Sequence, residues 1–366
     1  MKKSNFFIAV FSAVLMCALL AFPSYAAAAC REALKVCAAV IIPNLFPFMV
    51  LSSLLIYCGG ANAFGRFFAP IFSKIFHLSG ACSAAVITGF LAGFPVGASV
   101  TADMVKRGDI SKQEGERLLG FCNNAGAMFV IGSAAEMLKL TERGGLILFL
   151  SQFFSAVTVG VILGIGKKPG KHRLYTQSSD ENLSECAVKA VRKSIRSILS
   201  VCGFILIFSV IINSFKASGI SFLLQKAGFT SFDADCVLNG FAEMTAGISS
   251  AALLPYKPQI VLPLCSMLIG WSGLCVHMQV AAEISDSGIR MGKYFFGKML
   301  QMIFAPVYTV ILMRFAGGPV KTSAYLSSVS SKTGLFALSF FICACFCLIL
   351  TIVFSIFSAN KPSAKR

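Results

Sequence analysis

Long apolar runs separated by short polar turns make up most of this chain. Six runs are continuous: residues 6–27, 33–58, 145–166, 197–217, 292–313 and 334–358. A bilayer crossing takes about 20 apolar residues in a helix, so each run predicts a membrane-spanning helix. Four others, 83–104, 117–136, 234–254 and 259–283, are apolar but interrupted by glycine, proline or polar residues. The pattern predicts an all-α polytopic membrane protein with about eight to ten membrane segments.

The interruptions carry the chemistry. Gly89, Gly93 and Gly97 recur every fourth residue and line one helix face, where another backbone can approach closely. Pro95 removes a donor and obstructs a carbonyl one turn back. Ser111 and Glu114 fit a capping box and predict a helix start. That helix then meets Asn123-Asn124-Ala125-Gly126, where asparagine and glycine favour a halt. Hydrocarbon cannot solvate the freed peptide groups, so they need protein partners or a wet cavity. Such breaks serve either as kinked packing helices or as unwound binding segments. On the second reading Gly93, Pro95, Gly97, Asn123 and Asn124 bind an uncharged polar solute, since an amide offers both donors and acceptors. The C-terminal half supplies Glu243, Thr245 and Ser249 beside Gly240 and Gly247. Glu243, an ionisable group inside a span, is a candidate for H+ or Na+ coupling. Glu136 and Glu283 read as segment ends, and His277 as a buried histidine.

The halves look alike. GFLAGFPVGASV at 89–100 has its counterpart in GFAEMTAGISSA at 240–251. Gly126 precedes Ala-Ala-Glu by eight residues, and so does Gly273. A long apolar helix follows each. These matches in one order predict a duplication: a first repeat over 30–166, a basic linker over 167–196, a second repeat over 197–316, and a C-terminal helix with basic tail over 317–366. Residues 1–29 read equally as a signal peptide or as a first transmembrane helix. Basic residues mark cytoplasmic loops, which puts the linker and the C-terminus in the cytoplasm. Helix 33–58 then starts outside and helix 197–217 inside. The repeats are expected to be inverted, with broken helices facing at the midplane and one repeat rocking against the other.

Composition agrees. The chain has 366 residues, 57% of them hydrophobic and 13% charged, and a mean hydropathy of +0.80. Its formal net charge of +17 sits in loops between spans, which points away from nucleic acid. The 14 cysteines show no ligand spacing and read as small buried hydrophobes. There is no Walker loop, dinucleotide fingerprint or HExxH motif, so no metal, cofactor or enzymatic activity is expected.

The stretches GFPVGASVTADMVKRGDIS at 93–111 and EGERLLGFCNNAGAMFVIG at 114–132 resemble the nucleoside-recognition or Gate-domain family of membrane proteins. The resemblance covers roughly residues 33–316. It implies a solute gate or permease of the cell membrane and a role in spore formation. A non-transporting scaffold for spore envelope assembly is the alternative. The expected partners are a small polar solute, nucleoside-like, and the lipid bilayer, with room for a homo-oligomer.

Overall fold

The computed structural model describes residues 3–58, 67–168, 182–217, 219–226 and 228–316, and among these the regular structure is helical throughout. The chain begins with α1 (Lys3–Ala21) and α2 (Pro23–Tyr57). Proline suits a first helical turn because its fixed φ is already helical and it has no N–H to leave unpaired. α2 therefore starts at Pro23 and runs through the segment that also reads as a cleavage region. Next, α3 (Phe67–Phe76) and α4 (Gly80–Ala92) meet at 99°. They are followed by α5 (Val96–Arg107), α6 (Lys112–Cys122), α7 (Met128–Met137) and α8 (Glu142–Gly164). The linker leads into α9 (Leu183–Ala217) and a short α10 (Ile220–Lys226). The C-terminal half then contains α11 (Ser231–Ala242), α12 (Met244–Ala251), α13 (Pro258–Trp271), α14 (Gly273–Ile284) and α15 (Gly292–Phe315).

Five described helices are long and apolar enough to cross a bilayer, counting α13 and α14 together; the bent α3–α4 pair makes a sixth. This is fewer than the eight to ten expected. Runs 83–104, 117–136 and 234–254 are each two short helices meeting at a break, too short to span alone. The expected span at 334–358 lies outside the described residues. The order of elements repeats: broken pair α4–α5, broken pair α6–α7 and long α8, then broken pair α11–α12, broken pair α13–α14 and long α15.

The halves are not separate bodies. α15 packs on α13 and also on α8 and α6, while α14 packs on α5. α2 lies along α9. One core cluster reaches from Phe94 and Leu119 to Leu268 and Met302. In lipid, close packing rather than exclusion of water drives such association, and small residues make it possible. A Cβ added at Gly89 or Gly97 would strike the Cys122 carbonyl, and one at Gly297 would strike the Gly120 carbonyl. The first pair presses α4 and α5 onto the end of α6; the second brings the α6 and α15 backbones together.

At the polar end, the expected capping box is present: Ser111 accepts from the Glu114 N–H, and Glu114 accepts from the Ser111 N–H. One turn on, buried Glu116 accepts from Arg290 Nε at 2.7 Å and Lys293 Nζ at 3.1 Å. This ties α6 to the start of α15. Burial alone would raise the Glu116 pKa, but the hydrogen bonds and charges of Arg290 and Lys293 outweigh it and hold the carboxyl below its ordinary range.

Two expectations follow. Gly93 has φ +85°, and an added Cβ would lie 2.6 Å from the Gly126 nitrogen. Gly93→Ala should therefore destabilise the protein by about 1–3 kcal/mol, whereas Gly132→Ala, whose methyl meets open space, should not. Unfolding midpoints in detergent measure the difference. The Glu116 contribution is present above the ordinary glutamate pKa of about 4.3 and is lost as pH falls through the lowered folded value. Comparing wild type with Glu116→Gln from pH 7 downward should show the gap in midpoint narrowing only in the acid range.

Candidate functional site

Each break exposes peptide groups, and side chains at the break or from a neighbouring helix satisfy some of them. At the first, α4 ends at Ala92, a cis Phe94–Pro95 bond follows, and α5 begins at Val96. The first turn of a helix has N–H groups without helical partners. One of these, on Ala98, donates to Asn123 Oδ1 at 3.3 Å, so an asparagine from the second break caps the helix after the first. At the second break, Asn124 Nδ2 donates to the Phe121 carbonyl at 2.8 Å, and Gln152 Nε2 of α8 donates to the Ala125 carbonyl at 3.0 Å.

The C-terminal half solves the same problem with other residues. Glu243 caps α12, its two oxygens accepting from the Thr245 N–H at 2.9 Å and the Ala246 N–H at 2.6 Å. Trp271 Nε1 donates to the Phe241 carbonyl at 3.0 Å, and the Ser272 hydroxyl donates to the Ile269 carbonyl. Gly273 has φ +78°, and an added Cβ would sit 2.9 Å from the Met244 nitrogen. The two breaks of each half thus touch at a glycine: Gly93 against Gly126, and Gly273 against Met244.

Between the halves lies a cavity of about 50 Å³. Phe94, Ala125 and Gly126 line it from the first pair of breaks, and Glu243, Thr245 and Gln279 from the second. α2 and α9 close over it with Asn44, Leu45, Val201 and Ile205. Its walls are mainly apolar, with a few polar groups at fixed points, which is the usual build of a small-molecule site.

The sequence-derived candidates divide accordingly. Glu243 and Thr245 reach the cavity. Gly93 and Pro95 flank Phe94 and shape its entry to the wall. Gly97 lies behind, against Cys122. Asn123 and Asn124 are fully buried and do not line the cavity; they hold the backbone that does. Ser249 is exposed on α12 and donates to the Met137 sulfur at 3.7 Å. Glu136 and Glu283 stand one residue before the ends of α7 and α14, as expected. His277 is buried, with Nδ1 hydrogen-bonded to the Tyr294 hydroxyl at 2.9 Å and Nε2 without a partner.

Three residues, Asn44, Gln152 and Lys298, went unnoticed in the sequence, and Gln279 stood out as polar but was given no role. Asn44 and Gln279 sit in the cavity wall. Gln152 is hidden in an otherwise apolar run. Lys298, in α15, is fully buried; its ammonium donates to Gln301 Oε1 at 2.9 Å and lies 4.8 Å from the Phe94 ring centre. Lys298 had a signal, because a charge within a span is costly and marks function by default. It thereby braces the Phe94 side of the cavity from the opposite half. Asn124 Oδ1, Gln152 Oε1 and Gln301 Nε2 are buried without partners, so polar capacity remains around the breaks.

Comparison with known proteins fits this arrangement. The family model described as Gate, nucleoside recognition, matches residues 38–169, which contain the first two breaks and α8. A curated relative, the sporulation integral membrane protein YlbJ of Bacillus subtilis (strain 168), is 26% identical over 344 residues, covering 86% of this chain and 84% of its own. No solved structure matches the chain. The chain is an integral membrane protein of the helical type, with a nucleoside-recognition Gate region and similarity to YlbJ over most of its length.

Proposed function

We propose that the protein is a transporter or gate for a small polar solute of nucleoside type, acting in sporulation. The observation that carries this is the cavity where broken helices of both halves converge. The aromatic ring of Phe94 offers a face for a flat base, and Glu243, Thr245, Gln279 and Asn44 offer hydrogen bonds for polar edges. At about 50 Å³ the space holds a water or two, at roughly 30 Å³ each. A nucleoside therefore enters only when the cover moves. α2 and α9 form that cover, and their movement against the broken-helix core opens the site. Glu243 couples transport to H+ or Na+, since it joins the site directly to the N-terminus of α12. The repeated order of elements supports two Gate-like repeats, inverted across the bilayer, with the linker and C-terminus cytoplasmic.

The name of the relative favours a second reading, a membrane scaffold for spore envelope assembly without solute flux. Uptake by the full chain in proteoliposomes separates the two. The carrier reading expects uptake of labelled nucleosides, reduced about fivefold in Gln279→Ala, which loses a hydrogen bond worth roughly 1 kcal/mol to a buried ligand. In Glu243→Gln, exchange of solute should persist while accumulation driven by an ion gradient disappears. A folded wild type that moves none of a broad nucleoside panel, together with a spore defect in the deletion strain, supports the scaffold instead. For topology, single cysteines at residues 59–82 and 218–233 should label from opposite sides of the membrane; labelling from one side sinks the inverted arrangement.

A further inference from the structure

Away from the cavity between the breaks, a much larger pocket of about 670 Å³ opens where α5, α6, α8 and α15 end. Arg117, Lys167, Lys168 and Lys293 line it with positive charge, against Asp109 and Glu114. The central feature is Arg117. It is only 7% exposed, yet it forms no ion pair among the described residues. Nη2 donates to the His77 carbonyl at 2.9 Å, and Nη1 is buried with no partner.

The neighbouring carboxylate does not answer that charge. Glu114 spends its oxygens on the Ser79 N–H, the Ser111 N–H and the Ser111 hydroxyl. Burial raises the Asp109 pKa, opposed by Arg107. Burying a guanidinium that no carboxylate hydrogen-bonds is expensive. A guanidinium fork with a free N–H pair beside two exposed lysines is suited to tetrahedral oxyanions. Lys167 and Lys168 open the basic linker, so the pocket lies at the linker end of the helices.

We propose that this pocket binds a phosphate group, with Arg117 as the directional donor and Lys167 and Lys168 as the electrostatic rim. The phosphate is carried either by a soluble compound or by an anionic lipid headgroup. The site is separate from the cavity between the breaks and does not depend on the transport reading.

Unfolding midpoints of the full chain distinguish the sources. In one arm, protein in a neutral detergent is titrated with inorganic pyrophosphate against sodium chloride of matched ionic strength. In the other, nanodiscs of phosphatidylcholine alone are compared with nanodiscs containing phosphatidylglycerol. Stabilisation in the first arm only assigns a soluble phosphate; in the second only, a headgroup; in both, the shared chemistry. Lys167→Gln with Lys168→Gln, both at exposed positions, should leave the ligand-free midpoint unchanged and weaken the response about tenfold, as for one charged hydrogen bond. Arg117→Lys, which keeps the charge but loses the fork, should weaken it similarly. No specific stabilisation in either arm, or an equal response in the lysine double variant, overturns the proposal.

Discussion

A peptide group left bare in hydrocarbon costs several kcal/mol, and this constraint organises the whole molecule. The chain breaks four helices within the apolar core. Each break is tolerable because side chains, some local and some from another segment, close the gap. Asn123, Asn124 and Gln152 do this in the N-terminal half; Glu243, Trp271 and Ser272 do it in the C-terminal half. Polar residues inside such a greasy sequence are thus first of all substitutes for water. Those with atoms to spare leave polar capacity around the breaks.

This explains why the two halves differ in detail while keeping one plan. The requirement is that a donor or acceptor arrives at the break, not that a particular residue brings it. An asparagine pair and a glutamate are interchangeable as caps but not as chemistry. An amide is neutral at any pH. A carboxylate at a helix N-terminus carries a charge that favours the positive end of the dipole. The pseudo-repeats therefore bring unlike groups to corresponding breaks.

Much of the framework was legible in the sequence because it depends on local rules. The capping box at Ser111 and Glu114, the halt after Cys122 and the close approach of Gly89, Gly93 and Gly97 each follow from residues within a few positions of one another. The described residues hold fewer full-length spans than the apolar runs suggest because hydropathy sums smoothly across a break: 83–104 has the apolar length of one span but folds as two half-helices. The role of Asn123 was hidden because its partner, the Ala98 N–H, lies 25 residues away. Gln152 and Asn44 stayed unseen for a related reason. A single amide in an apolar run has no local partner to betray it, and only the tertiary arrangement shows what it faces.

The contact between Gly120 and Gly297 sets a limit on mechanics. There the N-terminal half meets the C-terminal half through bare main chain, with no side chain between them to lengthen, tilt or change rotamer. A joint of that kind has no slack. Sliding one repeat past the other would have to part this main-chain contact. The compliant boundary is the one beneath α2 and α9, where branched and long side chains such as Leu45, Val201 and Ile205 meet the core. Displacement there asks only for repacking, so the two halves behave as a single anvil, and whatever moves does so across its surface.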